Sequence, residues 1–235
     1  KKYNEAEKEI RALFYSMPRH LRPSLMTIAA DHGMPGFAMR SAGLLKRDGH
    51  PVDLKALYPF PSWQLPNEVE IDAAFIYAMV RQESQFYSRA MSRRGARGLM
   101  QLMPRTAASI GKTKRFRRGR GRDALFDPKT NLILGSKYLL HLMQLGNLSG
   151  NLFKVLAAYN AGPGNLRKWE RKLEYKNDPL LFIESIPSRE TRHFIKKVML
   201  GLWVYRFRLN ELAPTLSDVA GGNWPKYMSA PKKKL

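Results

Sequence analysis

The chain has no cysteine among its 235 residues. That excludes disulfides, thiolate metal sites and cysteine nucleophiles, and leaves the redox compartment open. No apolar run approaches the ~18 residues that cross a bilayer; the longest, such as 73–80 and 198–205, are about eight residues long. Acidic residues are scarce, 19 Asp+Glu against 41 Lys+Arg, so the formal net charge is +22. An excess of that size draws in polyanions by steering and counterion release, and nucleic acid, anionic lipid and bacterial cell wall all qualify as partners. Strand-like alternation is rare, and no internal repeat of 20 to 50 residues stands out.

What is present is helical patterning with 44% hydrophobic residues, enough for a full-sized core. Residues 1–50 scan as short helices broken at Pro18, Pro23, Gly33, Pro35 and Gly49, as in the end of a helical array. The chain opens Lys1-Lys2-Tyr3, with neither an initiator methionine nor a signal peptide, the look of a piece of a longer precursor. A connector, Tyr58-Pro59-Phe60-Pro61-Ser62-Trp63-Gln64-Leu65-Pro66, comes next. Its prolines block helix continuation and strand pairing, which sets the expected boundary between a helical segment, 1–63, and a second domain, 64–235.

Asn67 with Glu70 predicts a capped helix start before the apolar run from Ile71 to Val80. Steps of four then put Ile71, Phe75, Met79 and Glu83 on one face, an unusual address for a carboxylate. Asp127-Pro128 predicts the next long helix, through Leu132, Gly135, Leu139, Leu142 and Met143 to a stop at Gly146. Another is expected from about Asn151 to Tyr159, ended by a turn over Asn160-Ala161-Gly162-Pro163-Gly164. Ser188 is placed to cap the last long helix.

Four segments carry polar residues or glycines that a plain helical domain does not need. They are Arg81-Gln82-Glu83-Ser84-Gln85-Phe86, residues 92–104 with Gly95, Gly98, Met100 and Gln101, Ala157-Ala158-Tyr159-Asn160-Ala161-Gly162-Pro163-Gly164, and residues 184–192 with Glu190. Singly each has a plain structural reading: an ion-paired helix-end glutamate, core methionines, a buried tyrosine, a turn, a surface pair. In this order and spacing they resemble the catalytic domain of soluble lytic murein transglycosylases over roughly residues 64–212, with residues 57–63 similar to that family's connector from an upstream helical domain.

The resemblance implies an all-α protein, a lysozyme-like catalytic domain preceded by a short superhelix-type segment. It further implies cleavage of the MurNAc–GlcNAc β-1,4 bond of peptidoglycan, in the periplasm or cell envelope, with 1,6-anhydromuramoyl products and neither metal nor organic cofactor. It matches Glu83 to the catalytic acid/base, and Ser84, Met100, Gln101, Tyr159, Asn160 and Glu190 to substrate contacts. The physics agrees: a proton donor to a glycosidic oxygen needs a raised pKa, which apolar neighbours such as Phe75 and Met79 supply. No Asp lies near Glu83 in sequence to serve as the second carboxylate of an ordinary glycosidase. Gly95 and Gly98 are expected to let the backbone approach the sugar. The competing functions are a goose-type lysozyme-like hydrolase, which consumes water, and a noncatalytic module that binds glycan or nucleic acid.

Other features carry less. Gly111-Lys112-Thr113 lacks the glycine that a phosphate-binding loop needs five residues earlier. The five histidines are scattered, without metal-site spacing. In residues 112–122 seven of eleven are basic. This run departs from the family pattern and is expected to be a mobile, solvated loop, with contact to acidic envelope polymers as its functional reading and no nucleic acid partner expected. The tail Lys232-Lys233-Lys234 is expected to be disordered.

Overall fold

The computed structural model describes residues 2–228, and the tail 232–234 lies outside them. The architecture is all-α. The first unit holds α1 (Lys2–Ser16), α2 (Arg22–Asp31), α3 (Pro35–Arg47) and α4 (Leu54–Leu57). Pro18 lies between α1 and α2, whereas Pro23 and Pro35 sit in the first turns of α2 and α3. Both of these prolines start helices where breaks were expected, because a first-turn N–H has no intrahelical acceptor to lose. Ile10, Phe14, Leu25, Met26, Ala29, Phe37, Ala38, Ala42, Leu45 and Ala56 form this unit's own core.

The connector is fastened to the rest of the chain. The Arg81 Nε donates to the Leu57 carbonyl at 2.9 Å, and its guanidinium lies 4.1 Å from the centre of the Tyr58 ring. The Tyr205 hydroxyl donates to the Pro59 carbonyl at 3.1 Å; Arg208 donates to the Tyr58 carbonyl and covers the Phe60 ring. Proline-rich backbone offers few N–H groups, so side chains arriving from the neighbouring helices satisfy its carbonyls.

The second unit is built on α5 (Ala73–Ser84), whose Ala74, Phe75, Ile76, Ala78, Met79 and Val80 are at most 1% exposed. Its cap is Asp72, which accepts from the Phe75 N–H at 3.0 Å; the expected Asn67–Glu70 box lies five residues too early, in a turn. Asp72 also meets the buried Arg206 at 3.5 Å, and a Cβ on Gly201 would come within 3.1 Å of the Ala78 Cβ. These two pairings run antiparallel, setting the start of α5 against the end of α11 (Arg189–Arg208).

Between them the chain forms α6 (Pro104–Ile110), α7 (Pro128–Gln144), α8 (Leu152–Ala161), α9 (Pro163–Glu170) and α10 (Pro179–Ser185), and α12 (Pro214–Ala220) comes after α11. Asp127 caps α7 through the Thr130 N–H, and Ser188 caps α11 through the Thr191 N–H, both at the expected positions. The expected turn over 160–164 is a helix-to-helix corner instead. Asn160 belongs to α8, Gly162 turns the chain at φ 88°, and Pro163 starts α9. Strand pairing among the described residues is limited to isolated bridges, and no helix is long and apolar enough to cross a membrane.

Candidate functional site

Because α5 and α11 are antiparallel, the last turn of α5 meets the first half of α11, and α8 packs on the same helix. Glu83 lies in that last turn of α5, one residue before its end. Immediately after it, Gln85 and Phe86 adopt φ 51° and φ 63°, a left-handed pair that is costly for non-glycine residues. Burial of the Phe86 ring, 8% exposed, offsets that cost, and the turn cuts the helix one residue past the carboxylate-bearing turn.

Glu83 is half-buried, and its carboxyl group makes no hydrogen bond or ion pair among the described residues. The arginines that could neutralise it are engaged elsewhere, Arg81 on the connector and Arg89 at the Phe126 ring. Met79, one turn earlier on the same face of α5, is fully buried. Burial first, and the charge of Glu190 second, push its pKa from 4.5 up to about 8. A carboxylic acid that keeps its proton at neutral pH, with no cation to quench it, is the chemical requirement for a general acid.

Tyr159 lies in the last turn of α8. Its ring stacks on Phe194 of α11 and tilts against Tyr138 of α7, and its hydroxyl donates to the Met100 carbonyl at 2.8 Å. Burial, with the nearby Glu83 and Tyr138, holds its pKa well above 10, so it remains a neutral phenol. Its proton is committed to Met100, and only its oxygen lone pairs are available. Asn160 is the converse. Its Oδ1 accepts from the Thr191 hydroxyl at 2.7 Å, which leaves the amide NH2 to donate. Ser84 bonds back to the Val80 carbonyl at 3.1 Å, and Glu190 is exposed in the first turn of α11.

Residues 90–102 form a tight irregular loop. Arg97 and Leu102 exchange backbone hydrogen bonds at 3.0 Å, and the Gly98 N–H reaches the Ala90 carbonyl at 2.9 Å. Gln101, at φ 46°, spends its amide nitrogen on the Ala90 and Gly98 carbonyls, leaving its Oε1 as acceptor. The Met100 side chain is fully buried in the hollow left by Gly135, where a Cβ would meet its sulfur at 2.3 Å. The Met100 carbonyl is taken by the Tyr159 hydroxyl, so the whole residue is shielded from solvent.

Asn131, which sequence reasoning missed, holds this loop. Fully buried on α7, it accepts from the Met100 N–H at 2.7 Å and donates to the Arg97 and Leu125 carbonyls at 2.8 and 2.7 Å. The only available signal was an amide beside the inward-facing Leu132, Leu134 and Leu139 of α7. Thr191, which aims Asn160, lies in the segment 184–192 but was given no role of its own. One expectation fails here: the space at Gly98 is occupied by the protein itself, since a Cβ would lie 2.1 Å from the Leu125 carbonyl oxygen and 2.3 Å from the Asn131 amide. Gly95 has nothing within 4 Å of where a Cβ would stand and adopts a φ of 85°.

The basic run also departs from expectation. Residues 114–117 and 119–126 wind into 3-10 turns, and Phe116 anchors them in a small core with Leu102, Ala107, Ala108, Leu125 and Leu134. One buried aromatic supplies the ordering that the charge pattern concealed. No group of three or more His, Asp or Glu side chains among the described residues is arranged to hold a metal ion.

Comparison with known proteins adds four likenesses. Residues 64–182 match the family described as the transglycosylase SLT domain. A soluble lytic murein transglycosylase of Salmonella typhimurium is 37% identical over 150 residues, covering 63% of this chain and 23% of that protein. The chain thus spans less than a quarter of that relative's length. Among solved structures, the 70 kDa soluble lytic transglycosylase of Escherichia coli superposes with a TM-score of 0.76 at 28% identity, covering 96% of this chain and 36% of the other. An inactive glutamate-to-glutamine variant of the lytic transglycosylase Slt of Pseudomonas aeruginosa superposes at 0.70 with 30% identity, covering 89% and 34%.

Proposed function

We propose, for a chain that belongs to the transglycosylase SLT domain family, that it cleaves the MurNAc–GlcNAc β-1,4 bond of peptidoglycan without water, using Glu83 as acid and then as base. The observation that carries this reading is the isolation of Glu83. It is a half-buried carboxyl with no cationic partner and a pKa raised to about 8. That chemistry is scarcely compatible with a structural ion pair and suits proton donation to a leaving oxygen.

In this scheme the protonated Glu83 gives its proton to the glycosidic oxygen as the C1–O bond breaks. The substrate's own 2-acetamido group stabilises the cation developing at C1, doing the work of a second carboxylate. Glu83, now ionised, takes the proton from the muramoyl 6-hydroxyl, whose oxygen closes the 1,6-anhydro ring on C1. The acid is regenerated and no water enters. Tyr159 offers an acceptor and Asn160 a donor, which together complement the N–H and C=O of an acetamido group. The Gln101 Oε1 and the residues Ser84, Met100 and Glu190 are assigned to the walls of the groove around it.

This reading puts the site of action at the cell envelope, in the periplasm. It also assigns the basic segment 112–122 to contact with acidic envelope polymers, by its charge. The test is mass spectrometry of products released from purified peptidoglycan by the wild type and by a folded Glu83→Gln variant. Muropeptides one water lighter than hydrolysis products, absent with the variant, are expected. Reducing ends would convert the assignment to a hydrolase, and an active variant would remove Glu83 from the mechanism.

A further inference from the structure

Residues 84–122 contain twelve Lys and Arg and no Asp or Glu, so more than half of the net charge of +22 arises from this one stretch. Its order is specific. Phe116 is 6% exposed and packs where a Cβ on Gly111 would come within 3.1 Å of its ring, while Gly121 lies so close to the Arg115 carbonyl that a Cβ would sit 1.9 Å from the oxygen. These contacts fold residues 114–122 back against α6. As a result Arg105, in the first turn of α6, and Arg117 and Arg118 line a cavity of about 390 Å³.

None of the three guanidinium groups has a hydrogen-bond or ion-pair acceptor among the described residues. The next acid along the chain, Asp123, is taken by Arg97 at 2.7 Å. Converging like charges without compensation is a cost that a bound anion removes. We propose that the Arg105–Arg117–Arg118 cavity is a binding site for a phosphate group, separate in its residues from the Glu83 constellation.

Three planar forks present more donors and more charge than one monovalent carboxylate can match. A phosphate, with up to two charges and several oxygens, accepts from all three. Base stacking is not provided for, because the one aromatic residue in 104–122, Phe116, is committed to the core, and a single-stranded nucleic acid site needs exposed aromatic faces. The phosphate can be free, borne on a soluble polymer, or part of a lipid headgroup.

Two probes separate these sources: inorganic phosphate, titrated calorimetrically at constant ionic strength, and vesicles of phosphatidylglycerol in phosphatidylcholine, followed by co-sedimentation against pure phosphatidylcholine. Each is compared across wild type, R105Q/R117Q/R118Q, and the equal-charge control K112Q/R120Q/R122Q, all checked for folding by circular dichroism. Saturable binding to at least one probe is expected, weakened on the order of tenfold or more in the cavity variant and less than about threefold in the control. Binding to inorganic phosphate assigns a soluble or polymer-borne group, and binding confined to the anionic vesicles assigns the headgroup. Gly121→Ala keeps every charge but obstructs the fold-back, and is expected to weaken binding like the cavity variant. Equal losses in the two triple variants would reduce the site to diffuse charge and overturn the proposal. So would the absence of saturable wild-type binding to both probes.

Discussion

At the scale of the residue, Glu83 makes two pH predictions from one cause, its raised pKa. With a pKa about 8, it is protonated across the acidic and neutral range, so in its proposed role of general acid kcat/KM is expected to fall as pH rises through about 8. Removing it by Glu83→Gln is expected to cost on the order of 10²–10⁴-fold or more in rate. For stability, the folded pKa lies above the 4.5 of an unperturbed glutamate, so the folded state holds more protons than the unfolded one between those values. The contribution is complete below about pH 4.5 and is lost as pH rises through about 8. Glu83→Gln, which cannot ionise, is therefore expected to melt above wild type at pH 8 to 9 and to lose that advantage toward pH 4. In a chain of this size each kcal/mol of that gap reads as roughly 2–4 °C, and thermal melts across pH check it. A Tm difference that does not change with pH would mean that Glu83 is not desolvated.

At the scale of the element, the site depends on how α5 ends and on how the 90–102 loop is held. Gln85 occupies the left-handed cap position at φ 51°, where glycine carries no Cβ penalty. Gln85→Gly is expected to stabilise by about 1 kcal/mol, read as a shift in urea midpoint with unchanged slope. Gly98 is the converse case, with φ 78° and a Cβ that would overlap Leu125 and Asn131. Gly98→Ala is expected to cost roughly 2–5 kcal/mol. It should also lower kcat, because the Met100 carbonyl that accepts from Tyr159 would shift with the loop. These contacts were illegible in the sequence: glycine spacing announces a positive φ, but not which side chain from α7 fills the space beside it.

At the scale of the whole molecule, the helical segment and the second unit have separate cores, joined by a connector whose carbonyls are taken by Arg81, Tyr205 and Arg208. Tyr205→Phe strands the Pro59 carbonyl and is expected to cost about 1–3 kcal/mol in denaturant unfolding. The sequence by itself determined the helical class, the caps at Asp127 and Ser188, and the ordered set of segments holding Glu83, Tyr159 and Asn160. Those properties are local: a period, a side chain that reaches an N–H three residues on, a spacing. The tertiary structure alone decided that Asp72 rather than Asn67 starts α5, that Thr191 aims Asn160, that Asn131 pins the Met100 loop, and that Arg105 faces Arg117 and Arg118. Each of these depends on which surfaces meet once the chain has folded, and that is set by the burial of Phe75, Phe116 and their neighbours rather than by any pattern along the sequence.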